Sequence, residues 1–101
     1  MKHELKIWPQ YYHRVKEGSK TFEIRKNDRD FQVGDTVILR YFDPEFIFPN
    51  PLFTEYEMRI SWDRDYKPLG PYKIGYIFDL EDGRVIFSIL PIDNEKQQNR
   101  Y

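Results

Sequence analysis

From Thr21 to Leu90 the chain is cut into short strand-like runs by turn residues, and that punctuation constrains its fold more than any other feature. In Thr21 to Lys26, Phe22 and Ile24 fall on one face of an extended chain and Thr21, Glu23 and Arg25 on the other, the period of a strand. TVILRYF, from Thr36 to Phe42, is mostly β-branched or aromatic, as suits a strand. Tyr56, Met58, Ile60 and Trp62 alternate with Glu57, Arg59 and Ser61, which predicts a half-buried strand. Two further strands, Tyr72 to Phe78 and Arg84 to Leu90, flank a turn carrying Asp82-Gly83, a dipeptide suited to a hairpin.

The N-terminal part departs from this pattern. His3 to Ile7 reads as a short strand with Leu5 and Ile7 on one face. Trp8-Pro9 then suits a helix start, since proline in the first turn gives up only a donor that would have no partner there. Trp8, Tyr12 and Val15 form an apolar stripe that Gly18 ends, as glycine commonly does beyond a helix C-terminus. A helix of about two to three turns does not persist alone in water, so it must pack on a sheet. Asn27 to Gly34 is a turn-rich loop, and FDPEFIFPNPLF, Phe42 to Phe53, has three prolines in twelve residues. Proline cannot donate to a sheet ladder, so this stretch predicts an irregular excursion with its aromatics tucked down. Asp63 to Pro71 reads as a polar loop. Together these elements describe a mixed α+β, mainly β domain: a rolled sheet or small barrel of about five to six strands, with one short helix after the first strand.

With 101 residues, the chain holds one core. The domain is expected over residues 1–92, with 93–101, DNEKQQNRY, as a polar tail. Eight Tyr, eight Phe and two Trp supply the buried area. The absence of Cys excludes disulfides and thiolate chemistry. His3 and His13 have no companion ligands at metal spacing and are expected at the surface, so neither a metal nor a cofactor is expected. No apolar run reaches membrane-span length and the N-terminus has no signal-peptide pattern, which points to a soluble cytoplasmic protein without a membrane partner.

Net charge is −1, so any site for a polyanion must come from local asymmetry. Residues 14 to 29 hold Arg14, Lys16, Lys20, Arg25, Lys26 and Arg29 against Glu17, Glu23 and Asp28, whereas residues 43 to 57 hold four acids and no base. Glu23 and Arg25 share a strand face, and Lys20 sits at the preceding turn within reach of them. Two cations around one carboxylate offer fixed donors and acceptors in a small space, which suits a ligand with an anionic part and base-edge donors. Taken without any family resemblance, the same residues are more simply read as an exposed ion-pair network that contributes little. Lys26, Asn27 and Arg29 form either a phosphate-contacting loop or a plain Asx-type turn. Trp8 and Tyr11 could stack a base, whereas Tyr12 lies on the apolar stripe and belongs to the core.

HELKI at 3–7, WPQYY at 8–12, GSKTFEIRKNDRDFQVGD at 18–35 and IFSIL at 86–90 occur in one order along most of the chain. The second half of that pattern contains Gly18, Lys20, Glu23 and Arg25 in the spacing GxKxxExR. In these features the chain resembles the ASCH domain family of the PUA-like superfamily, in particular a small phage and bacterial branch of unknown function. The resemblance implies a PUA-like pseudobarrel with the motif in a cleft between helix and barrel, and kinship with RNA-binding modules. It also implies a hydrolase alternative acting on modified nucleosides or RNA. A hydrolytic relative uses a threonine nucleophile two residues before the motif arginine, a position held here by Glu23, which cannot make a hydroxyl attack. An enzyme of this kind would have to use Lys20 as general base and Glu23 to position water or a substrate amine. The expectation is therefore an RNA- or nucleotide-binding module, with a hydrolase or a phage-type protein-interaction module, presenting the aromatics of Phe42 to Phe53 to a protein partner, as alternatives.

Overall fold

Alternate burial begins with the first strand: His3, Leu5 and Ile7 of β1 (Lys2–Ile7) point inward and their neighbours outward. The computed structural model describes residues 1–46 and 54–92. After β1 comes α1 (Pro9–Glu17), which starts after Trp8 in an extended conformation. It ends where Gly18 turns left-handed at φ 89° and donates to the carbonyls of Arg14 and Val15, the glycine-ended termination expected from sequence. Helix α1 buries Tyr12 and Val15.

Strands β2 (Phe22–Lys26) and β3 (Thr36–Tyr41) follow, then a second helix, α2 (Glu55–Asp65), and finally β4 (Leu69–Asp79) and β5 (Arg84–Pro91). The five strands form one sheet in the order β1-β3-β4-β5-β2, with β1 and β3 parallel and the other pairs antiparallel. The sheet curls into a half-barrel whose edges are β1 and β2. In β1 the odd-numbered residues turn their carbonyls toward β3, as the bond from the Phe42 N–H to the Ile7 oxygen shows. The even-numbered carbonyls are left on the free edge. Two arginines reach them: Arg25 donates to the Lys6 oxygen at 2.8 Å and Arg29 to the Glu4 oxygen at 3.2 Å. Side chains, rather than a backbone ladder, link β2 and its following loop to the first strand.

The mainly β architecture with a short helix after β1 agrees with the sequence reading, but Tyr56 to Trp62 does not form a strand. These residues lie in α2, making two helices among the described residues where one was expected. Met58 and Trp62, four residues apart, share the buried face, while Tyr56 and Ile60, also four apart, are exposed. Both spacings fit a helix as well as alternation fits a strand. Thr54 settles the choice with a capping box: its Oγ1 accepts from the Glu57 N–H at 3.1 Å, and the Glu57 carboxylate accepts from the Thr54 N–H at 3.3 Å. The polar loop expected over Asp63 to Pro71 shrinks accordingly, since Asp63 to Asp65 complete α2 and Leu69 already belongs to β4.

The core gathers Leu5, Ile7, Val37, Leu39, Ile74 and Phe87 with the buried faces of both helices. An aromatic cluster fastens the helices to it. Tyr41 stacks on Tyr66 at 3.8 Å, Tyr12 meets both rings edge-on, and Trp62 meets Tyr41, Phe42 and Phe46 at steep angles. Burial pushes the Tyr41 phenol up to about 12. Phe42 is thus partly buried against Trp62, as expected for the aromatics of the proline-rich stretch, whereas Phe46 meets the same ring but stays 38% exposed. The remainder of the stretch, residues 47–53, and the tail 93–101 lie outside the described residues.

His3 also departs from expectation, being 4% exposed rather than on the surface. Its Nε2 lies 2.8 Å from the Asp35 carboxylate. A carboxylate only accepts, so Nε2 is the donor. Asp35 also accepts from the Gln32 N–H at 3.0 Å and from the Met1 amino group at 2.9 Å. The bond from His3, and less strongly those from Met1 and Gln32, lower the Asp35 pKa to about 2 against the opposing effect of burial. No helix among the described residues is long and apolar enough to cross a membrane.

Candidate functional site

Strand β2 turns its charged face inward. Glu23 lies opposite Phe87 and Arg25 opposite Val85 in the β2–β5 register, both buried core residues. Residues paired in register project from the same face, so Glu23 and Arg25 share the concave side of the sheet with the core. Phe22 and Ile24 take the outer face and are substantially exposed. Glu23 is 3% exposed, and an ionised group so enclosed is costly unless its oxygens are paired. Both are. Arg25 places Nε at 3.1 Å and Nη2 at 2.6 Å from Oε1, and the Lys20 ammonium contacts Oε2. Lys20 also donates to the Phe22 carbonyl at 2.6 Å. The Lys20 and Arg25 side chains keep 17% and 24% of their surface exposed, so a buried carboxylate holds two cations at a solvent boundary.

That boundary is the back of an open cleft of about 850 Å³ between α1, β1 and β2. Five basic side chains, Lys6, Arg14, Lys20, Arg25 and Arg84, and the single carboxylate of Glu23 line it. Trp8 and Tyr11 stand at the first turn of α1 with their rings stacked, 6.3 Å apart at 20°. They are 47% and 45% exposed, a large apolar surface to leave in water. The Lys20 ammonium sits 5.5 Å from the centre of the Tyr11 ring and 5.0 Å from that of Phe22. The arrangement offers flat rings, exposed cation donors and a fixed acceptor group within one hollow.

The structure therefore brings together Lys20, Glu23, Arg25, Trp8 and Tyr11 of the residues singled out from sequence. Lys26, Asn27 and Arg29 do not line the cleft. Lys26 is exposed at the end of β2, the Asn27 N–H bonds the Gly83 carbonyl at 2.9 Å, and Arg29 reaches the Glu4 carbonyl. Tyr12, assigned to the core, is 1% exposed and donates to the Lys67 carbonyl at 2.8 Å. Lys6 and Arg84 were not singled out from sequence, and Arg14 entered only as part of the basic run 14–29. Arg84 comes to the cleft because β5 pairs with β2 so that Arg84 faces Lys26, a proximity that no local spacing encodes. Lys6 is the outward residue of β1 before the helix, and it also pairs with Glu55 of α2.

Beyond the cleft, Arg40 of β3 holds Glu4 at 2.7 Å and Asp63 of α2 at 2.6 Å. The guanidinium hydrogen bond keeps the Glu4 carboxyl below its ordinary range. Among the described residues no group of three or more His, Cys, Asp or Glu is placed to hold a metal ion.

Residues 2–62 match the sequence model of a family described as a domain of unknown function, DUF3850. A stretch of 37 residues is 49% identical to an uncharacterized 12.9 kDa protein in the GpA 3′ region of Escherichia phage P2. The stretch makes up 37% of this chain and 34% of that protein, so the match spans about a third of the phage protein's length.

Proposed function

Because the chain belongs to the DUF3850 family, whose description leaves the function open, we propose from the cleft itself that it binds RNA or a nucleotide. The observation that carries this is the Lys20–Glu23–Arg25 cluster at the back of the hollow with stacked, exposed Trp8 and Tyr11 at its mouth. Exposed aromatic rings supply a stacking surface that every base can use, and neighbouring cations attract the phosphate backbone. Glu23 gives both cations a fixed position, so their remaining donors are oriented before a ligand arrives. The curled sheet is compatible with a PUA-like pseudobarrel, and the ASCH-like assignment of the motif GxKxxExR accords with this reading. A cytoplasmic setting would suit such a ligand.

Hydrolysis has less support. Both Glu23 oxygens already accept from Lys20 and Arg25, which leaves Glu23 less free to position water or a substrate amine. A protein-interaction role through Phe42 to Phe53 draws little from Phe42, which packs on Trp62, and only the 38% exposure of Phe46 speaks for it.

The test is a fluorescence titration of short single-stranded RNA at two salt concentrations, using the wild type, Arg25→Ala and Trp8→Ala. Trp8 is exposed, so its replacement should leave the fold intact. Affinity should fall as salt rises because binding releases counterions, and Trp8→Ala should weaken binding by about 1–3 kcal/mol, the usual worth of a stacked base. Absence of wild-type binding at low salt, or binding indifferent to both substitutions, would overturn the reading.

A further inference from the structure

A second hollow, of about 620 Å³, adjoins the cleft and shares Lys20 with it. Lys16 and Lys20 are its charged lining residues, both basic, and Pro71, Tyr72, Pro91 and Ile92 provide much of its apolar wall. Lys16 is exposed on α1, 6.0 Å from the centre of the Tyr12 ring. The second hollow thus repeats the character of the first, with cationic charge beside an apolar surface that includes an aromatic ring.

Lys20 joins the two. An ammonium has three N–H donors; one meets the Glu23 carboxylate and another the Phe22 carbonyl. The third is available at the partly exposed boundary between the hollows. A single nucleotide has no use for both hollows. A strand does, since its bases and phosphates recur and a basic point between two apolar surfaces matches a phosphate between two bases.

We propose that the second hollow takes the neighbouring nucleotide of the same strand, so that the ligand is an oligonucleotide of two residues or more whose linking phosphate lies at Lys20. This rests on the reading of the first cleft as a nucleotide site. Lys16 then contacts the backbone beyond the linking phosphate, and the wall containing Tyr72 and Ile92 packs against the second base.

The experiment compares 5′-phosphorylated RNA probes of one, two and four nucleotides, in each of the four homopolymers, on the wild type and Lys16→Glu. For at least one homopolymer, wild-type affinity should rise at least about tenfold from one nucleotide to two, in keeping with an added stacked base. Lys16→Glu should leave the mononucleotide within about twofold and cut the gain from the second nucleotide to less than about threefold. In amide NMR spectra the mononucleotide should shift residues near Trp8, Tyr11 and Lys20, and the dinucleotide should add Gly70 and Ile92. Equal affinity for one and two nucleotides, or a gain that survives Lys16→Glu, overturns the two-hollow proposal while leaving the first cleft as a nucleotide site. Failure of every probe to bind overturns the underlying reading as well.

Discussion

Replacing Asp35 by Asn should weaken the fold in a way that depends on pH. The carboxylate takes hydrogen bonds from His3, Gln32 and the Met1 amino group in a place largely closed to water. Its pKa of about 2, against an ordinary 3.8, is a shift of about two units. At about 1.4 kcal/mol per unit this amounts to roughly 2–3 kcal/mol. Because the folded value is depressed, the stabilisation is fully present above about pH 4 and is lost as pH falls through about 2. An asparagine keeps the shape and one acceptor but carries no charge at any pH. Asp35→Asn should therefore cost about 2–3 kcal/mol at pH 7, or roughly 10–20 °C in Tm for a domain of this size. The deficit should shrink toward zero near pH 2. Urea unfolding of both proteins at pH 7, 4 and 2.5, followed by tryptophan fluorescence with its buried Trp62 component, gives the difference at each pH. A deficit below about 0.5 kcal/mol at pH 7, or one that stays constant down to pH 2.5, would refute the assigned electrostatics.

Arg25→Lys keeps the charge but gives up the fork that holds Glu23 and the Lys6 carbonyl together, and should cost about 1–3 kcal/mol in chemical denaturation. Gly70→Ala should be destabilised by about 1–3 kcal/mol in a thermal melt: Gly70 has φ +109° and an added Cβ would lie 2.8 Å from the Val37 carbonyl oxygen. Thr54→Ala removes the capping box of α2 and should lower stability by about 1 kcal/mol, with the greatest rise in amide exchange over Glu55 to Met58.

Helix α1 was legible because its signals are local: Pro9 at the start, Gly18 at the end and a spaced apolar stripe between them. The β2 alternation was equally legible, but the direction of its faces was set by partners far along the chain. Only pairing with β5 places Glu23 and Arg25 beside Phe87 and Val85. Helix α2 was misread because apolar residues at every second position also produce two pairs spaced by four, Met58 with Trp62 and Tyr56 with Ile60. The distinguishing sign was present in Thr54-x-x-Glu57, a helix-start pattern that outweighs a short alternation. Burial of His3 could not be read from its neighbours, since the group that satisfies it, Asp35, enters from the end of a distant loop. The cleft's central cluster was within reach of sequence because its three charges lie within six residues; Arg84 was not, because strand order brings it there.

The two arginines that cap the outer carbonyls of β1 also bear on how copies of this protein meet one another. A bare strand edge is a template on which a second chain can lay its own backbone, the first step toward fibrous association. With guanidinium groups already seated on the Lys6 and Glu4 oxygens, an incoming strand would have to evict them and then lie beside positive charge. This strand edge is thereby made a poor nucleation point for aggregates, by one residue that lines the neighbouring hollow, Arg25, and one that lies outside it, Arg29.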